Sequence, residues 1–234
     1  MHKMPPKKKT SNPKGQYIIH SNHDKLPDEL ETMNYISFDP GAKNFDVRFE
    51  SRSHDITTRA QAKYDVPFAR TRTCTGTISK ATVYIVDILD SYAPLLQDTH
   101  IALIEDQMCI NNDMMHILSV LVTYFVCKYP HIVVIAPSPM LKGRELGAPD
   151  LPRKELKEWG EVMARDLARR RGDRKFLRYL DAQSVGLCKS KIKTDDSTDN
   201  LIQIEAFCVV AGYKLTRKYP RTIPRQPLQS MTLS

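Results

Sequence analysis

The run NYISFD at 34–39 alternates and stops at Pro40-Gly41, which predicts a strand entering a turn with Asp39 at the strand end. Phe45, Val47 and Phe49 alternate in turn and predict a returning strand, so 34–50 reads as a hairpin. Residues 63–74 are expected to add a third strand, pushed towards an edge by Pro67. The period then changes. Ile78, Ala81, Ile85, Ile88, Leu89 and Tyr92 recur three or four apart and predict an amphipathic helix within 76–96. The run from His100 to Glu105 predicts a short buried strand ending in a carboxylate. Met114, Ile117, Leu118, Leu121, Val122 and Phe125 form a second helical stripe, and HIVVIAP at 131–137 is a β-branched run stopped by proline. A basic helical stretch follows from 151 to about 179, with Leu156, Trp159, Met163 and Leu167 on its apolar side, and 196–215 predicts a closing helix dense in apolar residues. Strand, helix, strand, helix, strand implies parallel pairing through crossover helices. The expected fold is α/β: a mixed sheet of three antiparallel and then two parallel strands, flanked by helices.

Composition sets the domain limits. The 234 residues carry 35 Lys+Arg against 27 Asp+Glu, a net charge of +8. Residues 1–16 hold five Lys and no acid, 217–234 hold four Lys/Arg and no acid, and the 26 basic and 27 acidic side chains between them nearly cancel. Both ends also carry prolines (Pro5, Pro6, Pro13; Pro220, Pro224, Pro227). They read as disordered cationic arms, 1–30 and 217–234, around one domain over 31–216 with a basic helical insertion at about 144–180. Such arms suit a polyanionic partner through counterion release, and equally suit solubility or targeting; Lys7-Lys8-Lys9 has the form of a nuclear import signal. No apolar run nears the roughly 20 residues that cross a bilayer and no secretory signal is visible, so no membrane partner is expected. The five cysteines, never closer than 18 positions, fit neither a disulfide framework nor a zinc pattern, which points to a reducing intracellular location.

Four acids stand where packing alone would not place them. Asp39 and Glu105 end apolar strands, and Asp196 and Asp199 open the apolar closing helix. Ionised carboxylates brought together in low dielectric repel one another, and a divalent cation relieves that repulsion. Oxygen donors without nearby His or Cys suit Mg²⁺ or Mn²⁺ better than Zn²⁺. Positions i and i+3 share a helix face, so Asp196 and Asp199 can point together; Asp195 with Asp199, at i and i+4, fits equally well. Each acid also has a simpler explanation. TDDSTDN at 194–200 suits a helix N-terminus with acids facing the positive end of the dipole, Asp39 before Pro-Gly suits a turn, and Glu105 suits an exposed strand end. A calcium loop fits poorly, because Asn200 stands where such a loop needs Gly and its final Glu is missing.

YISFDPGAKNF (35–45), IALIEDQMCINNDMMHIL (101–118) and KTDDSTDNLIQIEAF (193–207) resemble the three motifs of the RuvC-like Holliday junction resolvases, in particular the mitochondrial and poxvirus-type branch with its RNase H-like fold. The resemblance runs over about 34–215. It implies a catalytic, metal-binding tetrad of Asp39, Glu105, Asp196 and Asp199, and so separates Asp196 from Asp195. It also implies substrate-facing roles for Gln107, Asn111 or Asn112, and Lys193, and likens Lys142, after the APSP turn at 136–139, to a basic residue near the scissile phosphate. For these polar residues, a core amide or a solvated lysine is the competing explanation. The basic stretch at 144–180 is longer than in bacterial members, and a charged solvent face explains it as well as a phosphate-tracking helix does.

The implied activity is a structure-selective endonuclease acting on four-way DNA junctions. Two Mg²⁺ or Mn²⁺ ions per active site, about 3.5–4 Å apart, would serve an in-line attack that leaves 5′-phosphate and 3′-hydroxyl ends. A homodimer would place two sites on the twofold-symmetric junction. Two other readings compete: a nuclease of the same superfamily acting on RNA–DNA hybrid, flap or fork, and a non-catalytic DNA-architectural protein. In RNase H the metal-binding Glu comes from the first helix, whereas Glu105 ends the strand after that helix, and all four acids are intact. Related proteins occur in large DNA viruses and in mitochondria. An N-terminal segment that is basic but proline-bearing and free of Arg is unlike a mitochondrial import peptide. The expected location is therefore the nucleus or a viral replication site in the cytoplasm.

Overall fold

The computed structural model describes residues 17–21, 23, 25–28, 30–40, 45–53, 78–106, 112–184 and 194–213, with the backbone alone at 53, 78–81, 153, 183, 184 and 194–196. The mixed α/β sheet expected from the sequence is the one found. Its strands are β1 (Tyr17–Ile19), β2 (Thr32–Pro40), β3 (Phe45–Ser53), β4 (Ile101–Ile104) and β5 (Val133–Pro137). They lie in the order β1-β5-β4-β2-β3, with β2–β3 and β1–β5 antiparallel and β2–β4 and β4–β5 parallel. The strand expected at 63–74 lies outside the described residues. Among the described residues the edge opposite β3 is β1, within the stretch assigned above to a basic arm. Tyr-Ile-Ile is too short to show a period, and its side chains Tyr17 and Ile19 pack on the core while Ile18 stays exposed.

Seven helices are described: α1 (Ile78–Ser91), α2 (Ala93–Leu96), α3 (Asn112–Lys128), α4 (Leu141–Leu146), α5 (Arg153–Arg171), α6 (Arg174–Ser184) and α7 (Thr194–Ala211). The single helix expected over 76–96 breaks at Tyr92, because Pro94 starts a fresh short turn in which its missing N–H is not needed. The single basic helix expected after 151 breaks at Gly172, whose φ of 68° closes α5 in the left-handed region that favours glycine. Helix α7 likewise stops before Gly212, at φ 70°, rather than running to 215.

Alternation on the central strands divides the core. Ile36 and Phe38 of β2, with Phe45, Val47 and Phe49 of β3, face Leu89 of α1 and Ile117, Leu121 and Phe125 of α3. Met33 and Tyr35 of β2, Ile101 and Leu103 of β4 and Ile135 of β5 face Ile204, Phe207 and Cys208 of α7. Beyond α7, Leu201 and Ile202 pack on Met163 and Leu167 of α5 and on Phe176 and Leu180 of α6. The order of layers is therefore α1–α3, sheet, α7, then the α5–α6 pair. The basic stretch thus covers the outer side of the helix that bears the carboxylates. Among the described residues no helix is long and apolar enough to cross a membrane, and Cys127 and Cys208 are free thiols.

Candidate active site

The last parallel pair between β2 and β4 is Phe38 with Ile104, so Asp39 and Glu105 follow side by side at adjacent strand ends, about 5 Å apart in strand spacing. The two-residue period puts Asp39 on the face of Tyr35 and Ser37, and Glu105 on the face of Ile101 and Leu103, which is the face covered by α7. Pro40, on the face of Phe38, buries its ring and is the last residue of β2. Past β4, the Asp106 N–H donates to the Pro137 carbonyl at 2.9 Å, tying the end of β4 to the end of β5 just before α4.

Helix α4 brings Lys142 into this corner. Its Nζ lies 3.1 Å from Glu105 Oε2 and 3.5 Å from Asp199 Oδ1. Burial works to lower the ammonium pKa, but the charges of Glu105, Asp199 and Asp39, with the hydrogen bond to Glu105, outweigh it and hold Lys142 above its usual value. Three acids distant in the chain thus act on one cation. Asp199 is the sixth residue of α7, beyond the first turn over which the helix dipole acts, so dipole compensation does not explain it. Asp196 lies three positions earlier on α7, in the segment described by backbone alone. Among the described residues no group of three metal-ligating side chains is close enough to hold an ion; what the carboxylates surround is the Lys142 ammonium. The donors are hard oxygens, a set whose chemistry fits Mg²⁺ or Mn²⁺.

A buried polar seam fixes α7 over the strand ends. Ser37 Oγ donates to Asn200 Oδ1 at 2.8 Å, and Gln203 Nε2 donates to Ser37 Oγ at 3.1 Å. Asn200 Nδ2 donates to Asp46 Oδ2 at 2.8 Å, and Ser197 Oγ reaches Asp46 Oδ1 at 3.5 Å. Asp46 pairs with Asp39 across the hairpin and shares its face. The sequence reading missed this seam. Its signal was available in the periods: Ser37 is two before Asp39, and Asn200 and Gln203 are four and seven after Asp196.

Further along β3, the same face carries Arg48, Glu50 and Arg52, all covered by the helices. Arg48 Nε bonds Glu50 at 2.9 Å, Arg52 bonds Glu50 at 2.6 Å and Glu205 at 2.9 Å, and Arg171 bonds Glu50 at 2.8 Å and also Glu205. Asp173 lies 3.9 Å from Arg48. Burial raises the Glu50 carboxyl, but the guanidinium groups of Arg52, Arg171 and Arg48 outweigh it and hold it well below the carboxylate range. Asp173, where burial dominates, is pushed up to about 6.

Of the other residues expected at the site, Asn112 is the exposed first residue of α3, while Gln107, Asn111 and Lys193 lie outside the described residues.

The chain matches no family model and no curated protein. Among solved structures it is similar to Thermus thermophilus RuvC, with a TM-score of 0.43 and 14% identity over 77% of this chain and 96% of that one. It is also similar to T. thermophilus RuvC in complex with Holliday junction substrate, with a TM-score of 0.42 and 14% identity over 77% and 95%.

Proposed function

We propose that the chain is a divalent-metal-dependent endonuclease that resolves four-way DNA junctions, working as a homodimer. The observation that carries this reading is the meeting of Glu105 and Asp199 on Lys142 Nζ, at 3.1 and 3.5 Å, with Asp39 acting on the same ammonium. A structural role alone does not require acids from two strand ends and a helix to share one cation. The meeting supports Asp39, Glu105 and Asp199 as members of the catalytic, metal-holding set, to which the motif resemblance adds Asp196.

Mg²⁺ or Mn²⁺ bound there, two ions per site, would supply a nucleophilic water and neutralise charge on the departing 3′-oxygen. The chain's own groups prepare that site. Lys142 offsets the repulsion between Glu105 and Asp199 and offers a cation for a phosphodiester oxygen. The Ser37–Asn200–Asp46 seam holds α7 so that Asp199 stays over the strand ends. Asn112, and with it Gln107, Asn111 and Lys193, would meet the substrate. Glu105 stands after β4 rather than in α1, which supports the junction reading over an RNase H one.

The test is cleavage of a synthetic four-way junction beside linear duplex, flap and RNA–DNA hybrid, with and without Mg²⁺. Divalent-dependent paired nicks in the junction, leaving 5′-phosphate and 3′-hydroxyl ends, are expected. Preference for the hybrid, or binding without cutting, would overturn the proposal.

A further inference from the structure

We propose that the corner between α5 and α6 is a docking surface for the sugar-phosphate backbone of duplex DNA, presented by Arg169, Arg174 and Arg178. The inference deepens the nuclease reading, in which the duplex is an arm of the junction.

Residues 169–178 hold six basic side chains and one acid. The structure sorts them into two groups. Arg171 turns inward to Glu50 and Glu205, and the acid, Asp173, is buried beside Arg48. In that interior Arg48, Arg52 and Arg171 face Glu50, Glu205 and Asp173, three cations on three carboxylates, so no inner charge is left over to neutralise the surface. Arg170 pairs with Asp166 one turn earlier, at 2.5 Å. Arg169, Arg174 and Arg178 are exposed and have no salt bridge among the described residues.

The last turn of α5 suits Arg169, but helix stability does not account for the cations that open α6. Helix α6 has Arg174 and Lys175 in its first turn and no acid there, where the helix dipole disfavours cations. Its one acid, Asp181, is engaged by Arg165 at 2.6 Å. Asp173 already caps the helix, its Oδ1 accepting from the Phe176 N–H at 3.0 Å. Cations kept at the start of α6 against local electrostatics, beside exposed arginines without an ion pair among the described residues, point to an external anion.

The surroundings select which anion. No large apolar side chain is exposed between Arg169 and Asp181, so the surface lacks the anchors by which a membrane or a protein partner is held. A phosphodiester backbone needs only charge and planar donors, which guanidinium groups supply. The corner is also held in register with the candidate active site. The Arg48 guanidinium lies 4.7 Å from the Phe176 ring centre, and the hydroxyls of Tyr179 and Ser197 share a hydrogen bond at 3.3 Å. Ser197 lies between Asp196 and Asp199 on α7.

The experiment measures binding of the full chain to a labelled linear duplex without divalent ions, from 50 to 200 mM NaCl. It compares the unaltered chain with Arg169→Gln/Arg174→Gln/Arg178→Gln and with a control, Lys154→Gln/Lys157→Gln, at the other end of α5. The terminal basic segments are common to all three. Each phosphate contact adds about 0.9 to the slope of log affinity against log salt. The triple variant is therefore expected to lose nearly three units of slope, so that the unaltered chain loses roughly 40-fold more affinity over this range than the variant does. The control is expected to keep more of the slope, and the thermal midpoint of the triple variant to stay unchanged. An unchanged slope, or an equal loss in the control, would overturn the proposal. A changed slope in a chain that cuts no junction would uphold this surface while removing the nuclease reading.

Discussion

Lys142 on α4 and Glu105 at the end of β4 form an ion pair of 3.1 Å, with both side chains largely shielded from water. The same ammonium reaches Asp199 at 3.5 Å, so one lysine ties a strand end to the helix that crosses it. Replacing Lys142 with Met leaves carboxylates facing one another without their cation. The expected loss is about 2 kcal/mol of stability in EDTA, measured by urea denaturation. Added Mg²⁺ should then raise the melting temperature of Lys142→Met by more than that of the unaltered chain.

Asn200 bridges Ser37 and Asp46 at 2.8 Å on each side. Asn200→Leu keeps the branching and heavy-atom count of the side chain but removes a donor from the buried Asp46 carboxylate. An expected loss of about 2 kcal/mol follows from the unsatisfied charge. Because the seam sets the position of α7, junction cleavage by this variant should fall in kcat, while the affinity for duplex DNA without divalent ions stays within about twofold.

Arg171 joins α5 to β3 and α7 through Glu50 and Glu205. Arg171→Met leaves two buried carboxylates short of a partner and is expected to remove about 3 kcal/mol. In a double-mutant cycle with Glu205→Leu the combined loss should be smaller than the sum of the single losses by about 1 kcal/mol or more. Simple addition would place the two residues outside one network.

The sign of the Asp173 effect is opposite to that of an ordinary paired acid. Its folded pKa of about 6 lies above the usual carboxylate value, so the folded chain binds a proton that the unfolded chain has released. This contribution to stability grows as pH falls through the folded value and levels off near the unfolded one. From pH 7.5 to pH 5 the unaltered chain should gain about 1 kcal/mol relative to Asp173→Asn, which keeps the cap but cannot titrate. Denaturation of both proteins at the two pH values measures the difference.

Those two buried features also show what periodicity conceals. The strand ends at Asp39 and Glu105 were legible because a two-residue alternation stops at Pro40 in one case and an apolar run stops at a carboxylate in the other. Asp199 was legible because it stands in the acidic opening of a helix that is mostly apolar from Leu201 onward. The charged face of β3 was not. Asp46, Arg48, Glu50 and Arg52 alternate with Phe45, Val47 and Phe49 as a half-exposed strand would, and only the tertiary cover of α7 and α5 turns that face inward. Burial of a balanced ionic network leaves no mark on hydropathy. The break at Gly172 was missed because the apolar stripes of α5 and α6 lie close enough in sequence to read as one helix. Tyr17–Ile19 was missed because three residues carry too little pattern to outweigh the basic, proline-bearing segment before them.

The nuclease reading is tested most directly by single-turnover cleavage of a four-way junction in Mg²⁺ by the unaltered chain and by Asp39→Asn, at equal occupancy of the junction. Losing one carboxylate of the set should lower the cleavage rate by about 100-fold or more while junction binding persists. Cutting by Asp39→Asn at the unaltered rate would contradict it.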